Sequence, residues 1–353
     1  MTQDRTAHDQ VSDSAEASEV RQADFTDHPG FSRTFAPNRL TVGLFLPLWP
    51  HTGDMAELRG QGEIIERVDR SEFASLWVRD VPLADPNFGD VGQVFDPWTY
   101  LTWLAAHTRH LALAAGSAVL TLRHPIDVAK QAASIDHLSG GRLILGTASG
   151  DRASEFPAYG IEHASRGERY REAVEWVRAL TESSRPTIKS SLGHFSGGVD
   201  LIPKPVTGRM PLLVTGSSGQ TPEWIAEHAD GWLTYPGPTH TPEGPKALGT
   251  KIAAWRSLIP ENQFKPVITN EWVDLTENAN TKPTPLRSGF VLRTGTQGLI
   301  DLLGRWQDLG VNHGAIGVQH GSRPAAETVQ QLIEEVAPHF PAITATAPHQ
   351  ASW

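Results

Sequence analysis

Eight short, nearly unbroken apolar runs recur along this 353-residue chain and constrain its fold more than any other feature. Runs of this kind are typical of parallel strands that are buried on both faces. Amphipathic stretches with helix signals separate them, such as Pro125–Leu138, which begins with proline, and Thr296–Leu309, which precedes Gly310. Eight strands alternating with helices over about 300 residues favour an α/β protein of the (β/α)₈ TIM-barrel type over an open, doubly wound sheet. The predicted strands are Leu40–Leu46, Phe73–Val78, Leu111–Leu120, Arg142–Ala148, Pro211–Thr215, Gly231–Thr234, Pro266–Val273 and Gly314–Val318.

The composition along the chain predicts two tails around one barrel domain. Residues 1–38 carry many acidic side chains and almost no consecutive apolar positions, so they cannot bury enough surface to offset the entropy of ordering. We therefore expect a disordered or extended N-terminal tail over 1–38, a barrel over 39–340 and a C-terminal tail over 341–353. Two segments interrupt the alternation, Asp151–Arg209 and Pro236–Thr250. Both follow a strand, which predicts rim insertions that act as lids over the mouth of the barrel.

Charge and composition exclude several classes of function. The chain has 30 basic and 40 acidic side chains, a formal charge of −10, which argues against nucleic acid or an anionic membrane as a partner. It contains no cysteine, so redox chemistry would need a bound cofactor. No apolar run approaches the roughly 18 residues of a membrane span, and no H-E-x-x-H motif occurs. We therefore expect a cytoplasmic protein that binds no metal.

Two loops after predicted strands have the composition of anion-binding loops. The first, Thr215–Gly219, lies between a strand and a helix for which Thr221 and Pro222 supply the expected cap and first residue. Its glycines let backbone amides approach a phosphate closely. In the second loop, Ser149, the Gly150 backbone and Arg152 could bind a phosphate together. The alternative for the first loop is a plain flexible turn, and for the second it is a turn at Gly150 with Asp151 paired to Arg152. Neither loop matches a dinucleotide-binding or P-loop fingerprint.

Two further strand ends carry side chains suited to proton transfer or ligand contact. Arg79 and Asp80 follow the second strand, where they could act as catalytic groups or simply form a salt bridge with each other. His124 follows the third strand and precedes a helix proline, so it is either a catalytic residue or a helix cap. The candidate catalytic residues are thus Arg79, Asp80 and His124.

The sequence resembles the bacterial luciferase-like, flavin-dependent oxidoreductases. The similarity is carried by Arg123-His124-Pro125, by Asp136-His137-Leu138-Ser139-Gly140-Gly141-Arg142 and by Gly216-Ser217-Ser218-Gly219. It implies a barrel that binds reduced FMN or, in one branch, the deazaflavin F420. It also implies that Gly116 and Ser117 run beneath the flavin ring, often with a non-proline cis peptide or a bulge. The candidate cofactor-binding residues are Gly116, Ser117, Ser149, Gly150, Thr215, Gly216, Ser217, Ser218 and Gly219.

The same resemblance frames the predicted reaction. A flavin-dependent monooxygenase would use reduced FMN and O₂ on a small organic substrate, and a NAD(P)H-dependent flavin reductase could supply the reduced cofactor. We prefer FMN to F420 because the sequence shows no dense patch of Lys and Arg for the polyanionic tail of F420. Luciferases carry a functional histidine after the second strand, where this chain has Arg79-Asp80-Val81. Family members are commonly oligomers, which implies a homo-oligomer here.

Other interpretations remain open at this level. A glycoside hydrolase needs two carboxylates across a cleft, and Glu271 with Glu155 would be the candidate pair. A non-catalytic flavin-binding protein is a third possibility. Trp49, Trp77 and Trp98 lie near predicted strand ends and could line a pocket for an aromatic ligand.

Overall fold

Eight parallel strands close into a barrel in the order in which they occur along the chain. The computed structural model describes residues 25–49, 60–85, 87–88 and 95–343. Each strand pairs with the next, and the eighth pairs with the first through Thr41–His313 to Phe45–Gly317, which confirms the predicted TIM barrel. The strands are β1 Thr41–Phe45, β2 Ser75–Val78, β3 Ala112–Val119, β4 Leu143–Ala148, β5 Leu212–Thr215, β6 Gly231–Leu233, β7 Val267–Leu275 and β8 His313–Gly317.

One principal helix follows every barrel strand, and a further short helix precedes β1. The helix predicted over Pro125–Leu138 has these bounds in the structure, with His124 as its N-cap. Among the described residues, no helix combines the length and apolar character that a membrane crossing requires. The helices are α1 Pro29–Thr34, α2 Gln61–Asp69, α3 Pro97–His107, α4 Pro125–Leu138, α5 Arg166–Glu182, α6 Pro222–His228, α7 Glu243–Ser257, α8 Thr296–Asp308 and α9 Ala325–Gln331.

Shorter elements lie outside the barrel ring. Strand β7 is long enough to pair first with β8 and then, from Val273 onward, with the strand Val291–Thr294. The remaining strands are Thr187–Ser190, Gly193–Ser196 and Thr284–Leu286, and the short 3₁₀ or π turns are Leu120–Leu122, Phe156–Tyr159, His163–Ser165, Arg287–Gly289, Leu332–Val336 and Ala337–His339.

The lid expected over Asp151–Arg209 is only partly at the mouth, which corrects the sequence-based prediction. Residues before α5 do lie at the C-terminal rim, but α5 runs antiparallel to the strands and carries the chain away from the mouth. Beyond α5, Ser190 Oγ accepts a hydrogen bond of 2.9 Å from the buried Trp176 of that helix. The backbone N–H of Val206 then bonds Asp136 Oδ2 at 2.8 Å, at the opposite end of the barrel.

The segment preceding β1 is packed, whereas the sequence predicts a tail up to residue 38. Phe25, Phe31 and Phe35 are buried and contact one another with ring centroids 5.0–5.1 Å apart. His28 caps α1, and its Nε2 lies 3.5 Å from Asp136 Oδ1 in a fully buried contact. Widely spaced aromatic residues, rather than a continuous apolar run, order this segment. Residues 1–24 and 344–353 of the predicted tails lie outside the described residues.

A buried histidine network joins α1 to the interior of the barrel. Thr41 Oγ1 donates to the carbonyl oxygen of Thr34 at 2.7 Å, so it accepts the hydrogen bond of 2.7 Å from His313 Nδ1. His313 Nε2 is then the acceptor for the indole N–H of Trp77 at 3.0 Å and lies 2.9 Å from Ser75 Oγ. Burial lowers the pKa of His313 from 6.5 to about 3, so the ring is neutral at ordinary pH.

His313 should make folding sensitive to acid. The unfolded chain takes up a proton on this ring near pH 6.5, whereas the folded chain does not until about pH 3. Stability is therefore lost as the pH falls below 6.5, by about 1.4 kcal/mol per pH unit. In urea unfolding at pH 7, 6 and 5, the wild type should lose stability more steeply than His313→Gln by about this slope. Parallel pH profiles for the two proteins would contradict this assignment.

Candidate active site

A cavity of about 620 Å³ opens at the mouth of the barrel and brings most of the predicted site residues together. Its volume is typical of a site for a cofactor-sized or drug-sized ligand. Residues separated by more than 200 positions, such as Phe45 and Phe290, line it together. The predicted residues that line the cavity are Arg79, Asp80, Gly116, Ser117, Ser149, Gly150, Thr215, Gly216, Ser217, Ser218 and Gly219.

The loop after β5 has a backbone shaped for an anion. Gly216, Ser218 and Gly219 have positive φ values of 58°, 46° and 74°. The Oγ of Ser218 donates to the carbonyl oxygen of Thr215 at 2.8 Å, which fixes the turn. Among the described residues, the amides of Ser217 and Ser218 have no hydrogen-bond acceptor. These amides are available to a phosphate at the edge of the cavity.

Contacts with α5 brace this loop from behind. The side-chain Nε2 of Gln220 donates to the carbonyl oxygen of Gly167 at 2.7 Å. Arg171 donates two hydrogen bonds to Gln220 Oε1, at 3.0 and 3.1 Å. A Cβ atom on Gly219 would lie 2.9 Å from Gly167 Cα, so the two backbones touch. The loop and the first turn of α5, which contains Arg166, therefore form one wall.

Three basic side chains add positive charge to the cavity, although the candidate site residues of the sequence analysis do not include them. Arg152, His163 and Arg166 all line the cavity. Arg152 is buried, with its guanidinium 4.2 Å from the ring centroid of Phe88. His163 packs edge-on against Phe156, and its buried Nε2 has no hydrogen-bond partner among the described residues. The sequence indicates Arg152 by its position just after Gly150, but no local pattern marks His163 or Arg166.

The floor of the cavity matches the expectation drawn from the resemblance. The Gly116–Ser117 peptide bond is cis, and the pairing of β3 with β4 shifts register between Ala115 and Ala118. A Cβ atom on Gly116 would lie 2.9 Å from Trp77 and 3.0 Å from Phe45, so only glycine lets the backbone rest on these rings. Ser117 Oγ is hydrogen-bonded to Thr215 Oγ1, which links the floor to the loop after β5.

The tryptophans expected to line a ligand pocket are packed elsewhere. Trp77 is fully buried beneath the floor, and Trp98 belongs to the core between the strands and the helices. Trp49 also packs against that outer core. The tryptophan that does line the cavity is Trp272 at the end of β7.

Asp80 does not form a salt bridge with its neighbour Arg79; its partner in the structure is Arg123. Both carboxylate oxygens of Asp80 accept hydrogen bonds from Arg123, at 2.7 and 3.1 Å. Asp80 Oδ2 also accepts the backbone N–H of Val119 at 2.9 Å. Arg79 instead places its guanidinium 5.5 Å from the ring centroid of Trp272. Asp80 thus connects the end of β2 to the end of β3, directly after the floor.

His124 does not line the cavity, which corrects its prediction as a catalytic residue. Its Nδ1 accepts the backbone N–H of Ile126 at 3.3 Å, and its ring packs edge-on against Trp176. The alternative of a helix cap is the one that the structure supports.

The two carboxylates of the glycoside hydrolase interpretation also lie outside the cavity lining. Glu271 is on the outer face of β7, where its Oε2 accepts from Thr239 Oγ1 at 2.6 Å and its Oε1 accepts from the Trp272 amide at 3.2 Å. Burial raises the pKa of Glu271 from 4.5 to about 7, and burial also raises the pKa of Glu155. Glycoside hydrolysis needs two carboxylates that face one cleft, and Glu271 and Glu155 do not provide them.

Comparison with known sequences identifies relatives across most of the barrel. The family model described as luciferase-like monooxygenase matches residues 40–259. An uncharacterized protein of Mycobacterium tuberculosis (strain ATCC 25618 / H37Rv) is 30% identical over 265 residues, which are 72% of this chain and 83% of that protein. The 4-hydroxyprotoasukamycin monooxygenase of Streptomyces nodosus subsp. asukaensis is 29% identical over 183 residues, 51% of this chain and 48% of that enzyme.

Solved structures share the fold at low sequence identity. A monooxygenase from Streptomyces bottropensis has a TM-score of 0.69 at 21% identity, covering 85% of this chain and 99% of that one. An F420-dependent secondary alcohol dehydrogenase has a TM-score of 0.69 at 17% identity, with 86% and 99% covered. The oxygenating constituent of 3,6-diketocamphane monooxygenase from Pseudomonas putida, in complex with FMN, has a TM-score of 0.65 at 12% identity, with 85% and 98% covered. These neighbours thus include one FMN complex and one F420 complex.

Replacing Glu271 with glutamine should change stability in a pH-dependent way. A carboxyl whose pKa is raised from 4.5 to about 7 by folding loses its stabilising contribution as the pH rises through that range. Glu271→Gln should therefore gain about 2–3 kcal/mol relative to the wild type between pH 5 and pH 8. Urea unfolding at both pH values measures this, with the exposed Glu261→Gln as a control that shows no such gain. An equal difference at pH 5 and pH 8 would refute the burial argument.

Breaking the Asp80–Arg123 pair should destabilise the rim of the cavity. The Asp80 side chain is 1% exposed, so Asp80→Asn leaves Arg123 without its buried charged partner and should cost about 2 kcal/mol. Asp96→Asn is the matched control, because Asp96 contacts the same guanidinium at 3.3 Å but is 44% exposed. That variant should change the free energy of unfolding by less than about 0.5 kcal/mol. Equal effects of both substitutions would show that Asp80 is not the principal partner.

Proposed function

Because this chain belongs to the luciferase-like monooxygenase family, we propose that it is a flavin-dependent oxidoreductase that binds reduced FMN at the mouth of the barrel. In this proposal the enzyme uses O₂ to oxidise a small organic substrate. Reduced FMN, when bound, supplies the electrons that activate O₂. The protein supplies binding, orientation and exclusion of water.

The observation that carries the proposal is the convergence of two backbone features on one cavity, joined by a hydrogen bond between side chains. Free amides at Ser217 and Ser218 lie at one edge, and the glycine floor at Gly116 lies beside them. The hydrogen bond between Ser117 and Thr215 joins the two. A cofactor with a phosphate at one end and a flat ring system at the other matches this arrangement.

The residues then divide by the part of the cofactor that they would hold. Ser149, Gly150 and the loop Thr215–Gly219 would bind the phosphate through amides and hydroxyls, and Arg152 and Arg166 would balance its charge. Gly116 and Ser117 would support the ring. His163, with its unpartnered Nε2, is placed to donate a hydrogen bond to the phosphate or to the chain that leads to it.

Two of the predicted catalytic residues keep a role in this proposal, although the role of one changes. Arg79 lines the cavity beside Trp272, where it can contact substrate or the reacting oxygen. Asp80 is assigned as a positioning residue, because Arg123 and the Val119 amide already occupy its carboxylate. Val119 follows the floor by two residues, so Asp80 acts on the cofactor through the course of β3.

F420 remains a second candidate because of the charge that folding gathers at the cavity. The sequence shows no dense basic patch, yet Arg79, Arg152, Arg166 and His163 line one cavity. Four basic residues could accept more negative charge than one phosphate carries. The contact of Gly219 with Gly167 closes the wall behind the loop, however, and favours a cofactor that ends at its phosphate.

The proposal also covers the source of the reduced cofactor, the location of the protein and its oligomeric state. Reduced FMN would come from a separate NAD(P)H-dependent flavin reductase or be formed in place by NAD(P)H. A cytoplasmic location and a homo-oligomeric state are likewise proposed, on the composition of the chain and on its family.

Titration of the purified protein with each cofactor tests the proposed function directly. FMN should quench protein fluorescence to saturation, whereas F420 should not compete at equal concentration. With a flavin reductase and NADH present, a substrate should raise O₂ consumption without an equal yield of free peroxide. Saturation by F420 alone would replace FMN with F420, and no binding of either cofactor would reject the proposal.

Gly216→Val should weaken binding of the phosphate group selectively. Gly216 has a φ of +58°, a conformation that a β-branched residue resists, so the amides beside it would turn away from the ligand. Losing one or two charge-assisted hydrogen bonds should reduce FMN affinity at least about tenfold. Riboflavin, which lacks the phosphate, should bind the variant and the wild type equally well.

Gly208→Val is the matched control for backbone strain. Gly208 has a φ of +80° and open space around its Cβ position, but it does not line the cavity. This variant should keep the FMN affinity of the wild type. An equal loss of FMN and riboflavin in Gly216→Val would show that the loop does not bind phosphate.

A further inference from the structure

The cavity at the barrel mouth has two chemically different halves. Amides and basic side chains after β4 and β5 form one half. Aromatic side chains form the other: Phe45 at the end of β1, Trp272 on β7 and Phe290 just beyond a turn. If the cofactor phosphate occupies the polar half, the aromatic half is left for the substrate. The inference below therefore rests on the proposed function.

Trp272 is the centre of the aromatic half. Its ring centroid lies 5.3 Å from that of Phe45, 6.2 Å from that of Phe290 and 5.4 Å from that of His320. The Arg79 guanidinium lies 5.5 Å from the same ring. Trp272 is only 7% exposed as a residue, so neighbours on several sides fix the position of its ring while it borders the cavity.

Two features of the backbone explain this position of the indole. Gly317 is the last residue of β8 to pair with β7, opposite Trp272, and a Cβ atom on it would lie 2.0 Å from the indole. The indole therefore lies flat on bare backbone. On the other side, Glu271 Oε1 accepts the Trp272 amide where β7 changes partner from β8 to the strand Val291–Thr294. Gly317 and Glu271 are thus positioning residues for Trp272.

Asn270 supplies a polar group beside this ring. It lines the cavity two residues before Trp272, on the same face of β7. Among the described residues, its side-chain amide has no hydrogen-bond partner. Of the two carboxylates that line the cavity, Asp80 is bound by Arg123, and Asp151 follows β4 on the polar side. The aromatic half thus combines flat apolar surfaces with one available amide and with the guanidinium of Arg79, which lies over the Trp272 ring.

We propose that Trp272 and Asn270 form the substrate subsite and that it takes an uncharged, ring-containing molecule with one ketone or hydroxyl oxygen. The indole face contacts the ring of the substrate and limits its size. The Asn270 amide bonds the oxygen, which fixes the orientation of the ring toward the floor of the cavity. A cationic substrate would lose its hydration without a carboxylate in this half to replace it, and an anionic one would have to compete with the Trp272 ring for the Arg79 guanidinium.

Calorimetric titration with matched six-membered-ring probes tests the subsite. Cyclohexanone should bind the FMN-loaded protein at least about tenfold more tightly than cyclohexylammonium or cyclohexanecarboxylate. Asn270→Ala should weaken cyclohexanone binding about tenfold, as expected for one lost hydrogen bond. Trp272→Ala should weaken it similarly but should favour the bicyclic 2-decalone, because the subsite becomes larger.

Further variants separate loss of the subsite from loss of folding. Trp272→Phe should retain most of the affinity for cyclohexanone. Gly317→Ala should weaken the binding, because its methyl group displaces the indole without removing it. Trp224→Phe on α6 is the matched control, since Trp224 stacks on His228 outside the cavity and should not affect either probe.

The cofactor is measured separately, so that failure of this inference and failure of the proposed function can be told apart. Trp272→Ala and Asn270→Ala should keep FMN affinity within about threefold of the wild type; a parallel loss of FMN would place these residues in the cofactor site and overturn the inference. Preference of the wild type for a charged probe, or no saturable binding of cyclohexanone, would overturn it as well. If the wild type binds no FMN, the proposed function fails, whereas titration of the cofactor-free protein still decides the subsite.

Discussion

Closure of a parallel sheet is the constraint on which the rest of this structure depends. All eight strands run in the same direction, so all their carboxyl ends meet at one mouth. The pairing of β1 with β8 completes the ring and brings residues from both ends of the sequence to the same cavity. Without that closure, the glycine-rich loop after β5 and the aromatic side chains of β7 and β1 would not line the same cavity.

Side chains also have to fill the interior of the barrel beneath the cavity. His313 on β8 bonds Thr41 on β1 and Trp77 on β2, and Trp77 supports the backbone of Gly116 at the floor of the cavity. The packed aromatic segment around α1 adjoins this network through Thr34. A neutral histidine satisfies donors and acceptors there without placing a charge in the core. The geometry of the mouth is thus supported by packing at the opposite end.

The sequence was sufficient for the strands and for the loops at their ends, because buried parallel strands are short, apolar and bounded by clear signals. It was insufficient where a residue's partner is distant in the chain. Asp80 binds Arg123, 43 positions away, rather than its neighbour Arg79. Residues 25–38 were predicted as tail because their phenylalanines are isolated in sequence, although they meet one another after folding. His163 and Arg166 line the cavity because the start of α5 packs against the loop after β5.

Strand β7 shows why the sequence of a fully buried strand does not indicate which of its residues point into the cavity. A strand buried on both faces has no polar alternation, so its sequence does not reveal which residues point inward. In the structure, Asn270 and Trp272 face the cavity, whereas Glu271 faces the outer layer and meets Thr239. A shift of one residue would place the carboxylate in the cavity and the indole outside. The chemistry of the aromatic half of the cavity therefore depends on the register between Trp272 and Gly317, which is set when β8 pairs with β7 in the closed barrel.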